Sequence, residues 1–532
     1  MKFSFVALVL CAPALAQTTI HVPGDAPTIQ AGLELAVDGD TVLVAPGVYS
    51  EGEIRFGGGA VTLGSSEGPA ATVIQGTFLT RLLRFRDFEG PDSVVEGFTF
   101  RNGQALALGS SSSEARAGGA IAMLGSESPT IRDCIFIANL AGTGSNGSAG
   151  GDGFDPVDAG DDGGHGTEGA DGGRGGRGGA IFADGGHPTI ERCIFFQNSG
   201  GVGGVGGAGG DGGDGAPSGF LTGPGDGGDG ARGGQGGAGG DGGALAIASG
   251  SMTVLNCLFI DNRSGRGGFG GSGGGAGAGG ESGLITQDGD PGSAAGGGSG
   301  GDGGGGGTFW VGPLAELVVV NSAVTQSQLG NPGFGGANGS GSGFGFLGEF
   351  SEGVACYELG AFRTRNSIYW DNPANQPLFD GPNTFGLDAD VAFCNVQVSY
   401  PGQGNFSSDP LWVDAADPLW SGFQIGPGSP CVDAGSTFEY QAVPSPAPKF
   451  FDLARRFRTI DLPNVADALV SSSPAIDVGP FEVVGPPVVD VLAGCGLNVP
   501  GSLTHVAGQP TLGSTITIAI HNPLGTQSPG SL

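Results

Sequence analysis

Lysine is almost missing from this chain: two occur, at positions 2 and 449. With 20 basic residues against 52 acidic ones, the formal net charge is −32. A surface of that sign repels nucleic acid and anionic membranes and attracts cations, which excludes DNA or RNA binding. Long apolar runs are missing as well. Beyond the N-terminus no stretch reaches the ~18 unbroken apolar residues of a spanning helix, so no membrane span is expected. Hydrophobic residues amount to only 38%, because 116 of the 532 positions are glycine. Proline is scarce where glycine is densest, and period-three glycine without imino acids excludes collagen.

What is present begins with an export signal. Met1-Lys2 precedes the apolar run Phe3 to Leu10 and then Ala14-Leu-Ala16. This reads as a signal peptide over 1–16, cut before Gln17. The rival reading makes Cys11 a lipidated residue, against which Leu10 is too large for the position before it. Seven cysteines remain after cleavage, an odd number, so at least one is unpaired or intermolecular.

The body of the chain repeats. Pro129-Thr-Ile-Arg-Asp-Cys-Ile-Phe-Ile-Ala-Asn139 returns as Pro188-Thr-Ile-Glu-Arg-Cys-Ile-Phe-Phe-Gln-Asn198 and as Met252-Thr-Val-Leu-Asn-Cys-Leu-Phe-Ile-Asp-Asn262. Leu317 to Ser327 is a worn fourth copy, and Arg363 to Asn372 a fifth. Short apolar strands behind glycines, such as Gly118-Gly-Ala-Ile-Ala and Gly178-Gly-Ala-Ile-Phe, precede the first four. Strand, turn and strand in repetition is the signature of a stacked solenoid, which absorbs this length as one body. Cys134, Cys193, Cys257, Ser322 and Ser367 form a column that advances by 59, 64, 65 and 45 residues. Stacked cysteines could pair or remain one buried thiol column. One coil needs about 20–30 residues, so each step carries an excursion.

These excursions are glycine-rich flaps at about 142–177, 200–241, 265–305 and 330–352, all leaving the solenoid along one edge. Their Gly-Gly-X period allows left-handed polyglycine helices paired through their backbones; the alternative is flexible coil. Phe136, Phe195, Phe259 and Tyr369 point inward from strands whose outer residues, among them Ile137, Phe196 and Ile260, are apolar too. A doubly apolar strand should be covered on both faces, and the adjoining flaps are the expected cover. Asp211, Asp214, Asp226, Asp229 and Asp241 are the candidate metal ligands, for calcium, since carboxylates and glycine carbonyls are hard oxygen donors. Gly206-Gly-Ala-Gly-Gly-Asp211 matches the start of a calcium nonapeptide, but Gly213 stands where its apolar residue belongs. Solubilising charge is the bland alternative.

Thr28 to Ala36 reads as a short amphipathic helix that could cap the stack, followed by a strand over Gly39 to Tyr49 broken by a Pro-Gly turn and by strands at Val61–Leu63, Thr72–Ile74, Leu82–Phe85 and Val94–Phe100. The strings Pro27-Thr-Ile-Gln, Gly39-Asp-Thr-Val and Pro46-Gly-Val-Tyr49 resemble the opening of secreted right-handed parallel β-helix proteins of the pectin-lyase-like group. Val94 to Gly103 resembles their early coil. Phe393-Cys-Asn-Val396, Gly428-Ser-Pro-Cys-Val-Asp-Ala-Gly435 and Ile476-Asp-Val-Gly-Pro-Phe-Glu482 resemble their closing motifs. The resemblance implies an all-β fold: a β-helix domain over 17–483 with the flaps on one edge, then a C-terminal β segment over 484–532. Members include polysaccharide lyases, hydrolases and surface proteins, so fold does not transmit function.

The repeated strands offer almost no outward acids or bases. Arg132, Arg192, Arg363 and Arg365 sit beside turns with no acid cluster expected at coil spacing. Asp161-Asp-Gly-Gly-His-Gly166 joins elements that polygalacturonase-like hydrolases keep on separate coils, so it reads as a solvated loop. No catalytic residue is assigned. The expected function is a secreted or cell-surface structural and binding protein that contacts polysaccharide or extracellular matrix without catalysis. The alternatives are a polysaccharide lyase or glycoside hydrolase of this fold, and a calcium-dependent adhesive element.

Overall fold

The computed structural model describes residues 17–105, 114–283, 287–380, 389–414, 420–444, 451–458 and 476–483, plus the backbone of three antiparallel strands, Leu503–Ala507, Thr517–His521 and Gln527–Ser531. The signal peptide, Cys495 and a strand expected near 488–492 lie outside the described residues.

Three strands make each coil, and every one pairs in parallel with its counterpart one coil on. The first sheet aligns Leu83, Ile121, Ile181, Leu245, Phe309, Cys356 and Phe379. The second aligns Val94, Thr130, Thr189, Thr253 and Val318. The third aligns Thr99, Ile135, Ile194, Leu258, Ala323, Ile368 and Asn395. The chain is a parallel β-helix. Leu245–Leu255 and Phe309–Val320 run unbroken through the first two sheets and join them. The segment 94–100 is two strands rather than one, because Gly97, at φ 79°, turns the corner between sheets.

Corners are as repetitive as strands. The residue before the cysteine column is left-handed in successive coils, at Asp133, Arg192, Asn256, Asn321 and Asn366. The column itself is a hydrogen-bonded ladder: Cys193 N–H donates to Cys257 Sγ, Cys257 N–H to Ser322 Oγ, Ser322 N–H to Ser367 Oγ and Ser367 N–H to Cys394 Sγ. Its thiols are free and buried, as are all six cysteines among the described residues. Beside it Asn139, Asn198 and Asn262 stack, each Nδ2 donating to a Phe carbonyl of the preceding coil at 2.9–3.0 Å. Leaving any of these buried amides unpaired would cost about 1–3 kcal/mol, which suits a polar residue to an otherwise apolar interior. Phe100, Phe136, Phe195 and Phe259 stack inside, with ring centroids 5.1, 4.7 and 4.7 Å apart. The helix Ile29–Leu35, N-capped by Thr28, lies over the first coils and buries Ile29 and Leu33.

The flaps are ordered. Each sends out one leg and returns by another, and their hydrogen bonds recur every third residue. Gly144, Gly147, Gly150 and Gly153 donate to Val202, Val205, Ala208 and Asp211 of the next outgoing leg. Gly163, Gly166, Gly169 and Gly172 donate likewise to Asp226, Asp229, Arg232 and Gln235 of the next returning leg. Between the layers, Gly204, Gly207 and Gly210 donate to Gly173, Ala170 and Thr167. Period three without intrasegment bonds is the polyglycine helix, here in two stacked layers. A Cβ built at Gly207 would run into the Ser148 carbonyl oxygen, so the approach of the legs demands glycine.

The expected flap cover over the third sheet is corrected. Ile194, Leu258 and Ile260 are buried in a cluster with Phe423, Ile425, Val432, Val478 and Phe481, and Phe196 packs against it. The cover is therefore the segment after the last coils, because the flaps depart sideways and pair with one another. The corner asparagines hold it: Asn256 Nδ2 donates to Tyr440 Oη, Asn321 Nδ2 to the Asp477 carbonyl and Asn366 Nδ2 to the Ser436 carbonyl.

Gly207→Ala should disrupt the flaps while the neighbouring outward change Val205→Ala should not. Hydrogen exchange mass spectrometry will read this as lost protection in peptides from 142–177 and 200–241, with third-sheet peptides unchanged.

Candidate functional site

The five candidate calcium ligands are placed apart. Asp211 and Asp214 face out from one layer, Asp226 and Asp229 from the other, and Asp241 is buried at the flap base. In the legs flanked on both sides two of every three N–H groups meet a neighbouring leg, and the third faces out. Aspartates supply several of its acceptors. Asp152 Oδ1 accepts Asp211 N–H at 3.0 Å, and Asp211 Oδ1 in turn accepts Gly275 N–H at 2.7 Å. Asp155, Asp214 and Ala278 repeat the arrangement at 2.7 Å. On the other layer Asp162, Asp226 and Asp290 form such a row, and His165 Nδ1, Asp229 and Ser293 another. The Ser293 N–H holds the exposed Asp229 carboxyl below its ordinary range. Asp241 pairs with Arg174 at 2.6 Å and Arg177 at 3.0 Å, and Arg177 lies over the Trp310 ring. Among the described residues no group of three or more His, Cys, Asp or Glu side chains converges as a metal site. Asp162 and His165 thus sit in flap rows.

The turn arginines do have acids at coil spacing, contrary to the expectation above. Arg132 pairs with Glu96 of the preceding coil at 2.6 Å, and Arg192 grips Asp133 through two bonds of 2.9 and 3.0 Å. Corner residues that look isolated in sequence become neighbours one coil apart. Arg455 of the cover also reaches Asp133, at 3.1 Å, along a groove of about 650 Å³. Desolvation pushes the buried Glu191 carboxyl up against the pull of Arg192. Deeper in the cover, Arg458 and Glu482 pair at 3.2 Å with neither side chain exposed. Burial pushes Asp477 up to about 6, although it accepts the Asp433 and Val483 N–H groups. These charges are committed to holding the cover down.

A second cleft, of about 760 Å³, is differently equipped. It lies in the corner between the last flap and the coil that follows, which carries no flap, and it includes Arg263, Leu329, Phe350, Val354 and Asp371. Four amides, Gln326, Asn331, Asn375 and Gln376, line it as well. None of these four side chains has a protein hydrogen-bond partner among the described residues. A smaller cleft of about 390 Å³, reaching Tyr400, continues it past Asn375 and Gln376. Desolvation raises the Asp371 carboxyl, and the nearby Trp412 indole opposes the shift. Sequence reading missed this site because Gln326 and Gln376 belong to different coils and nothing local marks either.

No protein-family model and no curated protein matches the sequence. Among solved structures, pectate lyase Pel9A is similar at 11% identity over 88% of this chain and 97% of its own, with a TM-score of 0.24. The catalytic domain of a GH87 α-1,3-glucanase is similar at 12% identity over 72% and 70%, TM-score 0.23. The receptor-binding tailspike of bacteriophage Det7 is similar at 12% identity over 97% of both chains, TM-score 0.15. With superpositions this loose, the β-helix rests on the coil-to-coil register itself.

The raised Asp477 carboxyl has a defined sign. Its folded value of about 6 exceeds the unfolded one near 3.8, so its contribution is full below about pH 4 and is lost as pH rises through 6. Asp477→Asn should remove up to about 3 kcal/mol of that pH dependence. Chemical denaturation of both proteins at pH 4.5 and 7.5 checks it, the wild type losing stability relative to the variant at the higher pH.

Proposed function

We propose that the protein is a secreted or cell-surface binding protein whose corner cleft holds polysaccharide, of a matrix or of a partner cell, without chemical turnover. The observation that carries this reading is the set of four amides, without a protein partner among the described residues, around an apolar wall of Phe350 and Leu329. An amide offers a donor and an acceptor side by side, which is what a sugar hydroxyl pair takes, and the apolar wall suits the C–H face of a ring. The export signal agrees with such a ligand.

The ionisable lining supports binding over catalysis. Glycoside hydrolysis ordinarily needs two carboxyl groups about 5–10 Å apart, and Asp371 is the one carboxyl among the described residues lining the larger cleft. A lyase needs a base that gives up its proton near neutral pH, and Arg263, the one cation among the described residues there, keeps its own. Calcium belongs to the proposal as a bridge: Asp152, Asp155, Asp162, Asp211, Asp214, Asp226 and Asp229 each accept a backbone N–H through one carboxylate oxygen, and the second could reach a cation.

The test is a glycan array followed by calorimetry, with calcium and with chelator. The paired change Asn375→Ala and Gln376→Ala should lower affinity at least ~10-fold while leaving thermal unfolding unchanged, since a neutral hydrogen bond is worth about 0.5–1.5 kcal/mol. Release of unsaturated uronides or reducing ends, abolished by Asp371→Asn, would replace this reading by an enzymatic one.

A further inference from the structure

The last flap breaks the glycine rule on one side only. In the third flap Gly297, Gly300 and Gly303 face the next leg, and Gly300 and Gly303 donate to Phe346 and Glu349. Counting along those paired legs, their equivalents in the last flap are Phe344, Leu347 and Phe350. No further flap follows, so the steric demand for glycine ends there. What replaces it is not polar. Phe344, Leu347 and Phe350 are 77%, 50% and 58% exposed. In a chain of charge −32, a bare row of this kind calls for a contact.

We propose that this row is a track for an unbranched, uncharged polysaccharide running outward from the corner cleft; the proposal rests on the reading of that cleft as a saccharide site. Continuity comes from Phe350, which belongs to both the row and the cleft wall. Spacing comes from the polyglycine helix, whose three residues per turn at ~3.1 Å each put successive row side chains about 9 Å apart. That is the length of roughly two sugar rings, so each row residue meets an equivalent face of a linear chain. The charge of the ligand follows from the lining, where one Arg263 balances one Asp371, and from the surrounding acidic rows, which disfavour a polyuronate.

Calorimetry with neutral oligosaccharides of graded length, prepared from the polymer that scores on the array, tests the track separately from the cleft. Wild-type affinity should rise at least ~10-fold from tetrasaccharide to octasaccharide. Phe344→Ala should remove that gain and leave the tetrasaccharide unaffected. Phe350→Ala should weaken both. A tetrasaccharide that binds with no gain on lengthening, or a gain insensitive to Phe344→Ala, overturns the track and leaves the cleft. Stronger binding of polyuronates overturns the ligand class. Dimerisation on ultracentrifugation, lost in Leu347→Glu, would show the row buried between two copies and overturn the proposal. Absence of any saccharide binding overturns both readings.

Discussion

Everything in this molecule depends on the distance between one coil and the next. Parallel strands pair at ~4.8 Å, and whatever leaves each coil at the same corner must stack at that same distance. Packed α-helices need 8–10 Å, so helical insertions from consecutive coils would collide. Polyglycine legs fit, provided that the sides facing neighbours carry no Cβ. Glycine is therefore abundant for a steric reason, and the strands and flaps share one backbone hydrogen-bonding scheme.

The same constraint explains the aspartates. A two-layer stack satisfies two of every three leg N–H groups and turns the third toward solvent. The Asp and Asn side chains that accept it bind each leg to the next from outside, as the buried asparagine and cysteine ladders do inside the coils. Residues that suggest cation binding in isolation therefore have a structural duty. The charge they leave on the surface disfavours anionic ligands.

The proposed binding site lies where the repetition stops. Flap follows flap until the coil after residue 352, which has none, and the step leaves a corner in which four lining amides have no protein partner among the described residues. The cover segment meets a different need, sealing an apolar sheet face with the help of corner asparagines and a buried Arg458–Glu482 pair.

Much of this was legible in the chain alone. Coil register, the inward phenylalanine row, the cysteine column and the capping helix follow from spacings of a few residues or from whole repeats, which sequence displays directly. Period-three glycine allowed backbone-paired legs but left flexible coil open. Three matters were settled only by tertiary structure. The cover over Ile260 comes from residues more than a hundred positions away, since burial depends on which apolar segment arrives, not on which is adjacent. Arg132 and Arg192 find their acids because stacking joins corners 36 and 59 residues apart. The cleft exists because one flap is the last, a property of the stack that no single repeat contains.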